Sequence, residues 1–207
     1  MIRILGCSVS QIPPRETLEG LLRADWLDAW QKAHASCHRE EQVRASLAGL
    51  WLLSLLGYTG GVFYGEDGRP EAVAPTVDLS ITHTRAFVFC ALAEGEKGIR
   101  IGLDAEPIST YPQERMERLA CRWFSEDERA FFEKEPTSER FTELWTKKEA
   151  TVKQSGDGLC AVTATNVTDA ANSFVLYRFG DHLLALCYPE GEIPPETAEW
   201  QGDVFPV

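Results

Sequence analysis

The 207-residue chain is long enough to bury a sizeable core, and its apolar fraction of 44% and charged fraction of 25% are those of an ordinary globular protein. Its 20 lysines and arginines against 32 aspartates and glutamates give a net charge of −12, which argues against a general binder of nucleic acid or of an anionic membrane. No stretch approaches the roughly 18 apolar residues of a membrane span. An anionic ligand must therefore be held by local groups.

The cysteine pattern indicates a reducing compartment. Six cysteines are widely scattered, several of them in apolar runs, and none forms a Cys-x-x-Cys pair. We therefore predict buried free thiols in a cytoplasmic protein. The segment Ile4-Leu5-Gly6-Cys7 superficially resembles a lipoprotein cleavage box, but only three residues precede it, so a first β-strand is the better interpretation.

The first half of the chain predicts helices and strands in alternation. Hydrophobic spacing predicts a strand over residues 1–9 and helices over 16–35 and 40–56, the second ending at a glycine. Residues 58–75 are rich in glycine and proline, and residues 64–70 within them predict a turn-rich loop. Two strands, 77–81 and 86–93, then follow on either side of a turn.

The clearest alternation in the chain lies in the predicted strand 99–106. Asp104 and Glu106 share one face of it, about 7 Å apart, while the opposite face is apolar. Like charges side by side are unfavourable unless a positive group joins them. The pattern fits either a solvated acidic edge or one half of a cation site.

The predicted helix 139–154 has a lysine inside its apolar stripe. Lys148 shares that stripe with Trp145, and Glu149 and Lys153 lie together on its edge. One interpretation is that Lys148 snorkels past Trp145 while Glu149 and Lys153 form an ordinary ion pair. The other is that Glu149 completes the acidic cluster of the strand.

The region between that strand and that helix predicts two further helices. In residues 113–124 three arginines recur at helical spacing as one basic stripe: Arg115, Arg118 and Arg122. Ser125 and Glu128 form a capping box for the next helix, which runs through Phe132. Short strands with a turn at Gly180-Asp181 follow over residues 166–188, and residues 191–207 predict an irregular tail.

Helices and antiparallel hairpins without regular βαβ spacing predict an α+β fold. The two halves share a loose plan, a helix ending in glycine followed by strands, so an internal pseudo-repeat is possible on the pattern although residue identity between them is poor.

The acidic groups suit magnesium if strand and helix meet. Asp104, Glu106 and Glu149 would supply the oxygen ligands that Mg²⁺ prefers, and Lys153 would reach phosphate oxygens beside them. Such a site can neutralise a pyrophosphate while a carboxylate takes a proton from an incoming hydroxyl and a lysine stabilises the leaving phosphate.

Several spaced motifs in order resemble one family, the 4′-phosphopantetheinyl transferases of the surfactin-synthetase-activating type. The motifs are Gly68-Arg69-Pro70, Leu79-Ser80-Ile81-Thr82-His83-Thr84, Gly102-Leu103-Asp104-Ala105-Glu106, Trp123-Phe124-Ser125-Glu126-Asp127-Glu128 and Phe141-Thr142-Glu143-Leu144-Trp145-Thr146-Lys147-Lys148-Glu149-Ala150, followed by Lys153. The resemblance spans most of the chain, and its order makes it more specific than any single motif.

The resemblance implies two similar α+β subdomains related by a pseudo-twofold, with coenzyme A in the cleft between them. We expect an N-terminal subdomain over residues 1–98 and a C-terminal subdomain with the metal site over 99–207. It further implies transfer of 4′-phosphopantetheine to a serine of an acyl or peptidyl carrier protein, with release of adenosine 3′,5′-bisphosphate. Small size and the possible duplication favour a monomer.

The resemblance also implies residue roles. Asp104, Glu106 and Glu149 are the expected metal ligands, Glu149 is the leading candidate for the general base, directly or through a water, and Lys153 assists the leaving phosphate. Thr82 and His83 match the segment that contacts the coenzyme, with Thr82 where the family usually has serine. Arg44 and Arg69 match basic positions around the nucleotide.

Two alternatives use the same residues differently. A metal-dependent pyrophosphate hydrolase would need no acceptor, and a non-catalytic module would bind coenzyme A or a carrier protein without needing the carboxylates. Carrier proteins are typically acidic, as is this chain, so we expect docking on the basic stripe of Arg115, Arg118 and Arg122 with the neighbouring Met116 and Leu119, unless that stripe is only a solvated face.

Overall fold

A computed structural model of the chain describes residues 1–35, 39–66, 68–108, 110–169, 173–192, 194–195 and 199–201. Its α-helices, in chain order, are α1 (Arg15–Leu21), α2 (Ala24–Ala33), α3 (Glu40–Leu55), α4 (Gln113–Trp123), α5 (Glu126–Glu133) and α6 (Ser138–Ser155). Its strands are β1 (Ile2–Ser8), β2 (Val62–Tyr64), β3 (Pro70–Ala72), β4 (Val77–His83), β5 (Phe87–Glu94), β6 (Gly102–Pro107), β7 (Ser173–Phe179), β8 (His182–Tyr188) and β9 (Glu199–Gln201).

The strands form two main sheets and one small hairpin. The first sheet has the order β4-β5-β1-β9, in which β9 lies parallel to β1 and the other pairs are antiparallel. The second sheet is an antiparallel meander of order β6-β8-β7, and β2 pairs with β3 alone. The mixture of helices with mostly antiparallel strands confirms an α+β architecture.

The two sheets are sandwiched between helices. One face of the first sheet packs on α3, while Ile4 and Phe89 on its other face meet Leu103 and Leu186 of the second sheet. The far side of the second sheet packs on α6, where Ala150 lies against Ala185. Because successive side chains on a strand point to opposite faces, each sheet contributes one face to the core that it shares with the other sheet and its second face to the core beneath a helix.

A ladder of side chains joins the edges of the two sheets. β4 and β6 are both edge strands. Every second side chain of β4 accepts a hydrogen bond from a backbone N–H in or directly before β6. Asp78 Oδ2 accepts from Ile101 N at 2.7 Å, Ser80 Oγ from Leu103 N at 3.0 Å and Thr82 Oγ1 from Ala105 N at 3.3 Å. Buried edge N–H groups that would otherwise lack partners are thereby satisfied.

Two predictions about local structure are wrong, and a third is incomplete. The helix predicted over 16–35 is two helices, because Leu22 and Arg23 are extended and turn the chain between them. The turn-rich loop predicted over 64–70 does join two elements, although the two short strands on either side of it, β2 and β3, were not predicted. The tail predicted to be irregular supplies β9, which pairs with β1, while its residues 193, 196–198 and 202–207 lie outside the described part of the chain.

Other predictions are confirmed. Ser125 and Glu128 form the capping box at the start of α5, and α6 ends at Gly156 in the left-handed conformation, as a helix-stopping glycine does. The turn at Gly180 joins β7 to β8. The strand predicted over 99–106 begins at Gly102 instead, because residues 99–101 do not pair with β8.

The division at residue 98, the pseudo-twofold, the monomeric state and the cytoplasmic location stay predictions. Each main sheet does carry its own long helix, α3 on one and α6 on the other. Among the described residues, no helix combines the length and the apolar character needed to cross a bilayer.

Candidate active site

The site is built where β6 lies directly against α6. Gly102 makes this approach possible, since a Cβ at that position would lie 1.8 Å from the carbonyl oxygen of Ala150 and 2.7 Å from the nitrogen of Gln154. Any larger residue would push the strand away from the helix. The close contact brings the acidic face of β6 next to the helix edge that carries Glu149 and Lys153.

Asp104 lies at the centre of the cluster, buried and only partly satisfied. Its Oδ1 accepts hydrogen bonds from Lys153 Nζ at 2.7 Å and from Thr82 Oγ1 at 3.1 Å. Its Oδ2 is buried without a hydrogen-bond partner, and the side chain as a whole is 7% exposed. A buried carboxylate oxygen left in this state carries an energetic penalty that a cation would relieve.

The negative charge of Asp104 raises the pKa of both Glu106 and Glu149. Burial raises the pKa of Glu106 to about 7, with further increases from Asp104 and Glu149, although the indole N–H of Trp145 donates to Glu106 Oε1 at 3.3 Å and opposes the rise. Burial and then Asp104 raise the pKa of Glu149 to about 7, against the opposing charge of Lys153. The three carboxylates thus lie near enough to repel one another, so that full ionisation of all three is unfavourable without a counter-charge.

The donor set fits a hard divalent cation. Three carboxylates from a strand and a helix, one of them with an unpartnered buried oxygen, supply the ligand type that Mg²⁺ takes. As they stand, no three His, Cys, Asp or Glu side chains among the described residues are grouped closely enough to hold an ion, and Lys153 supplies the positive charge at Asp104 instead. The three-ligand assignment stays a prediction.

Lys148 does not snorkel, so that interpretation is wrong. Lys148 and Glu128 are both fully buried and form an ion pair of 2.7 Å. Lys148 also donates to the carbonyl of Thr165, and Glu128 accepts from the backbone nitrogens of Ser125 and Val167. This network fastens α5 and the chain near Val167 to α6, one residue from Glu149. The expected Glu149–Lys153 pair is likewise replaced by the pair of Lys153 with Asp104.

A cavity of about 360 Å³ opens beside Glu149 and Lys153. It lies between the loop at Gly68 and Arg69, the strand β4 and the end of α6, so both halves of the chain line it. Clefts between two such elements are where small ligands usually bind. The structure therefore brings Lys153 and Arg69, two of the predicted coenzyme contacts, to one cavity.

The other predicted coenzyme contacts have partners within the protein. Arg44 donates to the carbonyls of Val9 and Ile12 and is absent from the lining of that cavity. Thr82 is buried and holds Asp104. His83 keeps an exposed side chain, and desolvation followed by the charge of Lys153 lowers its pKa. Their coenzyme contacts stay predictions.

A second cavity, of about 290 Å³, opens beside Glu106. Glu106 lies at its edge, and aromatic side chains make up much of its wall: Tyr111, Trp123, Phe141 and Trp145. Arg115 also lines it and stacks on Tyr111, 4.2 Å from the ring centroid. The predicted basic stripe of α4 is exposed, but Met116 is 4% exposed and packs in the core, so its predicted part in docking is wrong.

Sequence reasoning missed the groups that hold the site together. No structural role was predicted for Asp78 or for Ser80 beyond the motif that contains Ser80, although polar residues at every second position of β4 indicate an edge that bonds to a neighbouring segment. For Glu128, the last residue of one family motif, the predicted structural role was that of a helix cap. Nothing in the local pattern indicates that it would also pair with Lys148, 20 residues further on.

Comparisons with known proteins agree with this geometry. Residues 100–187 match the model of the 4′-phosphopantetheinyl transferase superfamily, a span that contains β6 and α6. The chain is 32% identical over 160 residues to 4′-phosphopantetheinyl transferase AcpT of Escherichia coli (strain K12), which covers 74% of this chain and 80% of that protein. It is 34% identical over 154 residues to the AcpT of Salmonella typhi, covering 70% of this chain and 77% of that protein.

The chain belongs to the 4′-phosphopantetheinyl transferase superfamily. It is therefore a transferase, which favours that prediction over the hydrolase and over the non-catalytic module. The family acts on coenzyme A and carrier proteins, and the matched span carries the predicted ligands Asp104, Glu106 and Glu149 together with Lys153. Membership of the surfactin-synthetase-activating type in particular stays a prediction.

Proposed function

We propose that this transferase moves 4′-phosphopantetheine from coenzyme A to a serine of an acyl or peptidyl carrier protein in a Mg²⁺-dependent reaction that releases adenosine 3′,5′-bisphosphate. The observation that carries the proposal is the cluster around Asp104, which has an unpartnered buried oxygen, two neighbours whose pKa values are raised to about 7, and a lysine at 2.7 Å. Clusters of this kind are more often functional than structural.

Asp104, Glu106 and Glu149 are the proposed ligands of the magnesium ion. Mg²⁺, when bound, would neutralise the charge of the coenzyme pyrophosphate. Thr82 would keep Asp104 oriented through its hydrogen bond to Oδ1, which leaves Oδ2 available as a ligand atom. Lys153 would then exchange its bond to Asp104 for one to a phosphate oxygen.

Glu149 is the proposed general base. The serine hydroxyl of the carrier attacks the phosphorus next to the pantetheine, its proton goes to Glu149, and the bond to the bridging oxygen of the pyrophosphate breaks. As a carboxylate beside the attacking hydroxyl, Glu149 would accept this proton directly or through a water. Lys153, one turn further along α6, stabilises the charge that develops on the leaving bisphosphate.

The two cavities support a path for coenzyme A across the carboxylates. The cavity lined by Lys153 and Gly68 suits the nucleotide end, and His83, close enough to Lys153 for its charge to lower the His83 pKa, is a proposed contact of the 3′-phosphate. The aromatic cavity beside Glu106 offers space for the pantetheine arm and the acceptor. The pyrophosphate would thereby lie between them, at Asp104.

Docking of the carrier is proposed on α4. Arg115, Arg118 and Arg122 are exposed on one helix, and Arg122 stacks on Trp123 at the rim of the aromatic cavity. In a chain of net charge −12, a local basic surface is the part that an acidic carrier would approach with least repulsion. Leu119, which also lines the cavity, is the remaining apolar contact of the original prediction.

The test is incubation with coenzyme A, Mg²⁺ and a panel of apo carrier proteins, followed by mass spectrometry of the carriers. A mass gain of one phosphopantetheine on the carrier serine, lost on chelation of the metal and in the Asp104→Asn variant, is the expected result. Breakdown of coenzyme A with no carrier modified would favour the hydrolase, and the absence of both reactions would contradict the proposal.

A further inference from the structure

Arg69 lies where three parts of the fold meet. It follows Gly68 in the β2–β3 hairpin and is only 8% exposed. Its Nη1 donates to the carbonyl of Lys153 at the end of α6, and its Nη2 donates to Asp78 Oδ2 at 2.7 Å and to the carbonyls of Leu79 and Ile101, each at 3.0 Å. One planar guanidinium thus joins α6, β4 and the segment that leads into β6.

We propose that Arg69 is a positioning residue, which fixes the last turn of α6, and with it Lys153, against β4 and β6. The resemblance to the family predicted instead that Arg69 is a basic contact of the nucleotide. The present inference rests on the proposed function only for the role of Lys153, since the bonds of Arg69 to the fold exist independently of any substrate.

The helix end explains why an arginine is needed. The last carbonyls of a helix lack intrahelical donors and carry partial negative charge, so a cation that donates to them is stabilising. Arg69 supplies donors to Lys153 and, at 3.4 Å, to Gln154, while Arg100 Nε donates to the same Gln154 carbonyl at 3.2 Å. A planar fork reaches carbonyls on separate elements at once, whereas a lysine is a single point of charge.

Asp78 makes the arrangement a buried unit with little net charge. Its Oδ2 accepts from Arg69 and from the backbone nitrogen of Ile101, and its side chain is 4% exposed. Because the carboxylate compensates the guanidinium, little of the charge of Arg69 is left to attract a phosphate. Arg69 therefore forms a rigid part of the wall of the cavity beside Glu149 and Lys153. The contribution of Arg69 to catalysis is indirect.

The experiment compares Arg69→Lys and Asp78→Asn with Arg23→Lys. Arg23 forms the same type of pair, with Asp25, but on the surface, where the two side chains are 50% and 52% exposed. Three quantities are measured for each variant: kcat of transfer, affinity for adenosine 3′,5′-bisphosphate, and hydrogen exchange of the amides in the last turn of α6.

If Arg69 positions α6, both Arg69→Lys and Asp78→Asn lower kcat by about ten- to 100-fold and accelerate exchange at the end of α6, with nucleotide affinity changed less than about threefold. Arg23→Lys leaves all three quantities unchanged. If Arg69 instead binds the nucleotide, Arg69→Lys weakens nucleotide affinity at normal exchange rates and Asp78→Asn, which frees the guanidinium, keeps or tightens it. That second pattern would overturn the inference.

Two arms keep the test decisive. Should a single variant fold poorly, Arg69→Met combined with Asp78→Leu removes both charges together, and the inference still requires fast exchange at the end of α6 in that variant. Should the wild-type protein transfer nothing, the proposed function fails, while the exchange rates in Arg69→Lys continue to decide whether Arg69 holds the helix.

Discussion

Helix α6 carries two charged sites that differ in how well their charges are compensated. On its buried side, Lys148 and Glu128 are fully enclosed, and the two side chains find partners for their charges and for the nearby backbone. On its cleft side, Asp104 keeps an unpartnered oxygen and Glu149 has a pKa raised to about 7. The same helix thus holds one site that is complete without a ligand and one that is not.

The difference indicates which site is structural and which is functional. A folded protein retains poorly compensated charges where binding or catalysis needs them, and satisfies its buried charges elsewhere. Substitutions on the two sides of α6 should therefore separate activity from stability.

The largest expected effect is the loss of transfer in Glu149→Gln. This change removes the proposed base while keeping its shape, so we expect kcat to fall by about 10²–10⁴-fold. Because the substitution also relieves a desolvated charge, the free energy of unfolding without metal should stay the same or rise. Glu143→Gln is the matched control on the same helix, since Glu143 pairs with Lys147 away from the cleft. Equal activity in the two variants would refute the role of Glu149.

Lys148→Met should have the opposite profile. It leaves Glu128 as a buried charge without its cation, so the free energy of unfolding, measured by chemical denaturation, should fall by about 3–5 kcal/mol. Lys32→Met, which removes an exposed pair with Asp28, should cost at most about 1 kcal/mol. A double variant, Lys148→Met with Glu128→Gln, should recover part of the loss. A single variant as mild as Lys32→Met would contradict the comparison.

The cleft carboxylates should make stability depend on pH and on magnesium. The pKa values of Glu106 and Glu149 in the fold, about 7, lie above their ordinary values, so their contribution to stability is complete at low pH and is lost as the pH rises through 7. Without metal, we expect the free energy of unfolding to fall by about 2 kcal/mol between pH 5.5 and 8 from these groups, after allowing for solvent screening.

Mg²⁺ should offset that loss and so stabilise the protein more at pH 8 than at pH 5.5. Thermal unfolding at both pH values, with and without Mg²⁺, measures the effect. The Glu106→Gln, Glu149→Gln double variant should lose both the pH dependence and the response to metal, and a double variant that retains both would show that other groups are responsible.

A smaller effect is expected for Thr82→Val. The hydroxyl of Thr82 orients Asp104, and loss of such an outer partner typically weakens metal binding by about tenfold. Ser80→Ala is the matched control, because it removes the neighbouring rung between β4 and β6 without a bond to Asp104. Equal metal affinity in both variants would mean that the ladder, and not the orientation of Asp104, matters.

The smallest effect is expected at the surface. Arg118→Glu should raise the KM for an acidic carrier by about three- to tenfold at low salt, and less as salt is added, because exposed charges are screened. Arg178→Glu is the control, because Arg178 on β7 forms an exposed ion pair with Glu139 of α6. Unchanged carrier affinity in Arg118→Glu would count against docking on α4.

Much of the site could be predicted because its signals are local. The alternation on β6 places Asp104 and Glu106 on one face, and the helical spacing of α6 places Glu149 beside Lys153. Each of these features repeats with the period of a single element, so one stretch of sequence is enough to show it.

The groups that hold the site together could not be predicted because their partners are distant in sequence. Arg69 bonds to Lys153, 84 residues away, and Lys148 pairs with Glu128, 20 residues away, so neither partner follows from periodicity. The strand β9 was missed for the same reason, since it gains its order from β1 at the other end of the chain. Local patterns indicate which face is buried, but not which charge it meets.

The central claim is that Asp104, Glu106 and Glu149 hold one divalent ion. Calorimetric titration of Mg²⁺ at pH 7 with coenzyme A present, in two buffers of different ionisation enthalpy, tests it most directly. We predict one ion per chain, protons released from the carboxylates as it binds, and weaker binding in Asp104→Asn, Glu106→Gln and Glu149→Gln. No binding to the wild-type protein, or equal binding in all three variants, would contradict the claim.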